Sequence, residues 1–68
     1  MAEAKASVRD VVVRILQSNG GELLESQLVK KVAVETRANE DFIEEVLENL
    51  EEDGSIFRAS VDGMVELV

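Results

Sequence analysis

The chain has 68 residues, which is the size of a single small domain. It contains no cysteine and no histidine, so disulfide staples and the usual zinc ligands are excluded and packing alone must hold the fold together. Its 15 acidic residues against 7 basic ones give a net charge of −8. Because phosphates and anionic membranes attract proteins through lysine and arginine, this charge disfavours both as partners.

No apolar run in the sequence approaches the roughly 20 residues that a helix needs to span a bilayer, so we expect no membrane association. The small polar residues 1–6 are expected to form a flexible N-terminal tail, followed by one domain of residues 7–68. A charge of −8 on so small a body favours a monomer in isolation, because the copies repel one another.

The first predicted helix runs from about Ser7 to Ser18. Its apolar residues recur at helical spacing at Val8, Val11, Val12, Ile15 and Leu16. Gly20 and Gly21 follow, and glycine readily supplies the left-handed backbone that ends a helix. The next stretch, Glu22–Leu24, is either a brief strand or the lead-in to the second helix, since it is too short to show a period.

The second predicted helix extends from Glu25 to about Val34, and a polar connection follows it. Leu28, Val29 and Val32 are expected to face inward, while Lys30 and Lys31 face solvent. Asn39 is a good N-cap for a third helix that ends near Gly54. The predicted buried side of this third helix is Phe42, Ile43, Val46, Leu47 and Leu50. Its outer side is anionic, with Glu40, Asp41, Glu44, Glu45, Glu48, Glu51, Glu52 and Asp53.

The remaining sequence predicts a β-hairpin. Two runs of strand-forming residues, 55–61 and 64–68, flank Asp62-Gly63, and Asp-Gly between such runs is a strong hairpin signal. Phe57 is expected to pack into the core. The predicted fold class is α+β, mainly α: a winged helix-turn-helix with three helices, then a two-stranded hairpin wing, and a possible short strand between helices 1 and 2.

The sequence does not indicate an enzyme. Without histidine or cysteine, the commonest general base and the thiol nucleophile are missing, and Gly20-Gly21 lacks the spacing and lysine of a phosphate-binding loop. Carboxylates on one helix diverge, whereas calcium ligands converge from a loop. We therefore predict no catalytic site, no metal site and no cofactor.

Two kinds of macromolecular contact remain possible. Lys30, Lys31, Arg37 and Arg58 are the candidate nucleic-acid contacts, although pairing with nearby glutamates is the more common role for such residues. DNA binding is expected to be weak or absent, because the third helix would repel phosphates where many such domains read DNA. The candidate partner-binding residues are Glu44, Glu48, Glu51, Glu52 and Phe57, which suit a basic protein surface.

Several sequence features together resemble one known module. These are Gly20-Gly21-Glu22-Leu23, the acidic third helix, and the closing run GSIFRASVDGMVELV from Gly54 to Val68. They resemble the small winged-helix domain at the C-terminus of archaeal minichromosome maintenance (MCM) replicative DNA helicases. That domain often carries an acidic third helix, then a glycine, an isoleucine–aromatic pair, a short wing and a final apolar strand. The resemblance covers nearly the whole chain.

The resemblance implies a regulatory module of a replication factor whose ATP-hydrolysing motor lies elsewhere, in a cytoplasmic, nucleoid-associated protein. Its implied partner is the motor domain or an initiation factor, and no catalytic residue carries over. Three alternatives remain open: a free-standing DNA-binding transcription regulator that uses the four cations above, a protein-docking winged helix of another replication or repair factor, such as a single-strand-binding protein subunit, and a segment of the transcription machinery.

Overall fold

A computed structural model describes residues 2–59 and 61–68, with side chains described from Ser7 onward. In chain order, the elements of these residues are α1 (Ala2–Ser18), β1 (Glu22–Leu24), α2 (Glu25–Thr36), α3 (Glu40–Glu52), β2 (Ile56–Arg58) and β3 (Met64–Leu67). The strands form an antiparallel sheet in the order β1-β3-β2. Helices first and a hairpin last, with the sheet packed on the helices, confirm the predicted winged-helix fold.

The element bounds differ from the prediction in several places. Helix α1 begins at Ala2 and not at Ser7, so residues 2–6 of the predicted tail are helical; the flexibility of that tail stays a prediction, and Met1 lies outside the described residues. The stretch Glu22–Leu24 is a strand, because its backbone pairs with β3. Strand β2 is shorter than the predicted run 55–61, of which Ser60 lies outside the described residues.

The hairpin connection is longer than the Asp62-Gly63 pair that predicted it. The last paired residues are Ala59 and Met64, where the Ala59 amide donates to the Met64 carbonyl at 2.9 Å. The Gly63 amide then donates back to the Ala59 carbonyl at 3.0 Å. Gly63 has φ of 72°, a left-handed conformation that glycine adopts without the steric cost of a Cβ.

One apolar core joins all the helices to the sheet. Its buried members are Val8, Val12, Ile15, Leu16, Leu28, Val29, Val32, Ile43, Val46, Leu47, Leu50, Ile56 and Val65. The helical members match the predicted inward sides, and Val11 and Phe42 pack against the core while partly exposed. Burying these side chains is the main favourable term in the folding of so small a domain.

Phe57 is the exception: the residue is 57% exposed, so the prediction of a core position was wrong. Side chains alternate between the two faces along a strand. Ile56 takes the inner position on β2 and is 2% exposed, so its neighbour Phe57 must point outward. The register of the hairpin decided this placement.

Helix α3, which carries the anionic surface, is positioned by the turn before it. Arg37 ends α2 in the left-handed conformation, with φ of 63°, and its amide donates to the Ala33 carbonyl at 2.8 Å. Asn39 then begins α3, and its Oδ1 accepts a hydrogen bond from the Phe42 amide at 2.8 Å. This contact confirms the predicted N-cap and satisfies one of the unpaired amides at the start of the helix.

We expect Asn39→Ala to lower the free energy of unfolding by about 1 kcal/mol, because the capping acceptor for the Phe42 amide is lost. Urea denaturation followed by circular dichroism measures the change. Asn39→Asp, which keeps an acceptor oxygen at this position, is the matched control and should stay close to the wild type. Equal stability of the alanine variant and the wild type would contradict this role of the cap.

Candidate interaction surfaces on the third helix and the wing

Arg58 of β2 lies at the centre of a cluster of carboxylates. Its Nε lies 3.1 Å from Glu51 Oε1, and its Nη1 lies 3.4 Å from Glu44 Oε1 and 3.5 Å from Glu25 Oε1. Glu25 belongs to α2, while Glu44 and Glu51 lie two helical turns apart on α3. Only 22% of the Arg58 side chain is exposed. The residue therefore ties the wing to two helices.

The cluster changes the titration of its members in a definite direction. Burial lowers the pKa of Arg58, but its hydrogen bond to Glu51 and the charges of Glu25, Glu51 and Glu44 raise that pKa above its ordinary value overall. Burial and the neighbouring Glu25 raise the pKa of Glu44, even though Arg58 acts to lower it. Ionised Glu44 is thus less favourable in the folded chain than in the unfolded chain.

A second contact joins α1 to the end of α3. Arg9 Nη2 donates to Asp53 Oδ2 at 2.6 Å, and the Ser55 amide donates to Asp53 Oδ1 at 3.0 Å. The hydrogen bonds from Ser55, together with Arg9, lower the pKa of the Asp53 carboxyl below its ordinary value. Asp53 therefore connects the C-terminal end of α3 both to α1 and to the backbone that follows α3.

The predicted partner-binding glutamates divide into two groups. Glu44 and Glu51 are paired with Arg58, whereas Glu48 and Glu52 are exposed and have no ion pair with any side chain that the structure describes. Glu45 is also exposed, and it does have a partner. Within residues 7–59 and 61–68, the outer side of α3 presents carboxylates to solvent, as predicted.

The predicted nucleic-acid contacts do not form one patch. Arg58, expected as a cation on the wing, is turned toward the helices and held by the carboxylates of its cluster. Lys30 and Lys31 line a groove between α1 and α2, beside Ile15 and the exposed Val34. Arg37 lines a different groove, near Phe42 at the start of α3. The lysines and Arg37 are exposed and lack ion pairs in the described part of the chain.

The side of the sheet that faces away from the helices also combines apolar and anionic residues. We call this the outer sheet face; it consists of Glu22, Leu24, Phe57, Met64 and Glu66. Leu24 is 41% and Phe57 is 57% exposed. Sequence reasoning offered Phe57 as a site residue here, with Met64 as a further candidate apolar contact. Glu22, Leu24 and Glu66 were missed, because the proximity of β1 to the hairpin depends on β1 pairing with β3, which no local pattern signals.

The described side chains contain no group of three or more potential metal ligands close enough together to hold an ion. Among the helices of residues 2–59, none combines the length and the apolar character that a bilayer span requires.

Comparison with known proteins identifies a solved structure with the same fold. The chain resembles a chain in a solved structure of the Cdc53 WHB domain with Dcn1(P), from work on a dual E3 mechanism for Rub1 ligation to Cdc53. The TM-score is 0.88, the identity is 15%, and the match covers 98% of this chain and 81% of that one. At such low identity the likeness shows a shared winged-helix fold alone.

No model of a protein family matches the chain, and no curated protein matches it. The finer resemblance to the archaeal MCM C-terminal domain stays a prediction.

We expect Arg58→Met to lower the free energy of unfolding by about 1–2 kcal/mol, because it keeps the apolar stem but leaves Glu25, Glu44 and Glu51 without their cation. The measurement is urea denaturation at neutral pH and low salt. Arg14→Met is the control: Arg14 pairs with Glu35 at an exposed site, and its loss should cost under about 0.5 kcal/mol. Equal effects of the two changes would show that the Arg58 cluster does not hold the wing.

The lowered pKa of Asp53 predicts a specific sensitivity to acid. Its stabilisation is fully present above the unfolded pKa of about 3.9 and is lost as the pH falls through the lower folded pKa. Wild-type stability should therefore fall more steeply on acidification than that of Asp53→Asn, which keeps an oxygen for the Ser55 amide. Urea denaturation as a function of pH measures both slopes. Identical slopes for the two proteins would contradict the prediction.

Proposed function

We propose that this chain is a non-catalytic winged-helix module that docks on a basic protein surface through α3 and the wing. The observation that carries the proposal is the distribution of charge on α3 and β2. The exposed carboxylates Glu48 and Glu52 have no cation among the described side chains, and the one arginine of β2 is used internally. A duplex approaching α3 would meet like charge, whereas a basic protein surface would meet opposite charge.

Two further observations support protein docking. Phe57 is an exposed aromatic residue, and aromatic residues are enriched where protein surfaces meet. The solved structure that shares this fold contains a winged-helix domain, that of Cdc53, together with another protein, Dcn1(P). A winged helix of this shape can therefore serve in a complex with a protein, and we extend that use to this chain.

We further propose that the module belongs to a DNA replication factor and resembles the C-terminal domain of an archaeal MCM helicase. The support is the sequence resemblance from Gly54 to Val68 and the acidic third helix. In that setting the chain itself performs no catalysis, and the ATP-dependent helicase motor would lie in another part of the protein. The basic surface would then belong to the motor domain or to an initiation factor.

The decisive variant is Glu48→Lys, which reverses a charge at the exposed centre of α3. We expect the immobilised wild-type domain to retain a protein with a basic surface from extract of its source cells, and the variant to lose it by about tenfold or more. Asp10→Lys is the matched control, because it makes the same change in net charge at an exposed site on α1. Quantitative mass spectrometry of the retained proteins measures the loss. The identity of the retained protein, which the mass spectra give, also tests the proposal that the module belongs to a DNA replication factor.

The runner-up function is a DNA-binding regulator, which the unpaired Lys30, Lys31 and Arg37 favour. Fluorescence anisotropy with a labelled duplex separates the two functions. Tight, steeply salt-dependent binding that is lost in Lys30→Glu plus Lys31→Glu would overturn docking in favour of DNA recognition. We expect no saturable duplex binding by the wild type at low salt.

A further inference from the structure

The strand register brings two glutamates directly opposite each other on the outer sheet face. Glu22 of β1 is paired with Glu66 of β3, and Glu66 is in turn paired with Phe57 of β2. Across the sheet from β1 to β2, this row therefore carries two carboxylates followed by an aromatic ring. Leu24 and Met64 form the adjacent pair on the same face. All five side chains are exposed or partly exposed.

The hydrogen bonds show how closely the backbones of Glu22 and Glu66 are paired. The Leu67 amide donates to the Gly21 carbonyl at 2.8 Å, and the Glu25 amide donates to the Gly63 carbonyl at 2.8 Å. Hydrogen-bonded and non-hydrogen-bonded pairs alternate along an antiparallel ladder, so Glu22 and Glu66 occupy a non-hydrogen-bonded position. At that position the Cα atoms lie about 4.5 Å apart and the side chains are at their closest.

This arrangement is unfavourable for the isolated domain. Like charges directly opposite each other destabilise a sheet, and neither carboxylate has a cation among the side chains that the structure describes. The nearest strand cation by register is Arg58, which belongs to the inner face and is committed to its own cluster. By this argument the pair weakens the sheet, and a cation supplied from outside would relieve the repulsion.

We propose that the outer sheet face binds a partner segment that carries an arginine beside apolar side chains. This inference rests on the proposed docking function and names the surface and the chemistry of its partner. The guanidinium would lie between Glu22 and Glu66, with its plane against the exposed Phe57 ring. Leucine or methionine side chains of the same segment would cover Leu24 and Met64. The two carboxylates favour an arginine in the partner segment because its charge is opposite to theirs. The apolar pair Leu24 and Met64 favours apolar residues next to that arginine.

The binding test uses a synthetic amphipathic peptide of about 15 residues, with leucine along one stripe and arginine flanking it. Two matched peptides replace the leucines by serine or the arginines by glutamate. Titration of the ¹⁵N-labelled domain should show saturable binding of the first peptide alone, with amide shifts at Leu24, Phe57 and Glu66. Phe57→Ala and Glu66→Gln should each weaken it, by about tenfold for the aromatic anchor. Equal binding of the serine peptide would overturn the proposal, because the apolar contacts would then be irrelevant.

Glu48→Gln on α3 separates this inference from the proposed function. Asp10→Asn, at an exposed position on α1 that neither proposal uses, is the control and should leave the affinity for the peptide unchanged. If Glu48→Gln weakens binding while Glu66→Gln does not, the sheet face is not the site, yet α3 still docks a basic partner. If the arginine–leucine peptide does not bind at all, the inference is contradicted, whereas the proposed function is decided separately by whether the wild-type domain retains a basic protein and Glu48→Lys loses it.

The free domain provides a second, partner-independent test. We expect Glu66→Gln and Glu22→Gln each to raise the melting temperature by about 1–6 °C at low salt, because each removes the opposed charge. The gain should shrink at high salt, where the repulsion is screened. A lower melting temperature in both variants would show that these carboxylates stabilise the fold, and the argument for an external cation would fail.

Discussion

The guanidinium of Arg58 lies within 3.5 Å of carboxylate oxygens from α2 and α3, and this contact determines the character of both surfaces around it. It fastens β2 to the helices on the side of the strand where Ile56 is buried, while the register leaves Phe57 facing solvent. It neutralises part of α3, and among the described side chains it leaves four anions of that helix without an ion pair: Glu40, Asp41, Glu48 and Glu52. It also removes from the wing the cation that a phosphate would need.

Much of the fold followed from short-range signals in the sequence. Helical periodicity identified the inward side of each helix, and Asn39 capped α3 because its side chain reaches the Phe42 amide three residues on. Asp62-Gly63 marked the reversal of the chain. These signals act over a few residues, so local sequence is sufficient to detect them.

The candidate site was less predictable, because its main features join distant residues. Whether Phe57 is inside or outside depends on which of two alternating positions Ile56 occupies, and a shift by one residue would exchange them. The partners of Arg58 come from α2 and α3, and its long side chain can reach several carboxylates. The opposition of Glu22 and Glu66 requires a strand pairing across more than half of the chain. The composition correctly predicted that the surface charge is negative. It could not show which carboxylates form ion pairs within the chain.

The lengths of the strands have a consequence for how other chains can add to this sheet. β1 and β2 are the two edges, and each contributes three residues, Glu22–Leu24 and Ile56–Arg58. An incoming strand could form few main-chain hydrogen bonds on either side, and its register would be poorly defined. Such an architecture resists edge-to-edge aggregation even though apolar side chains are exposed nearby. Selectivity for an added chain would then come from side-chain shape and charge across the breadth of the sheet, and not from main-chain pairing at its edges.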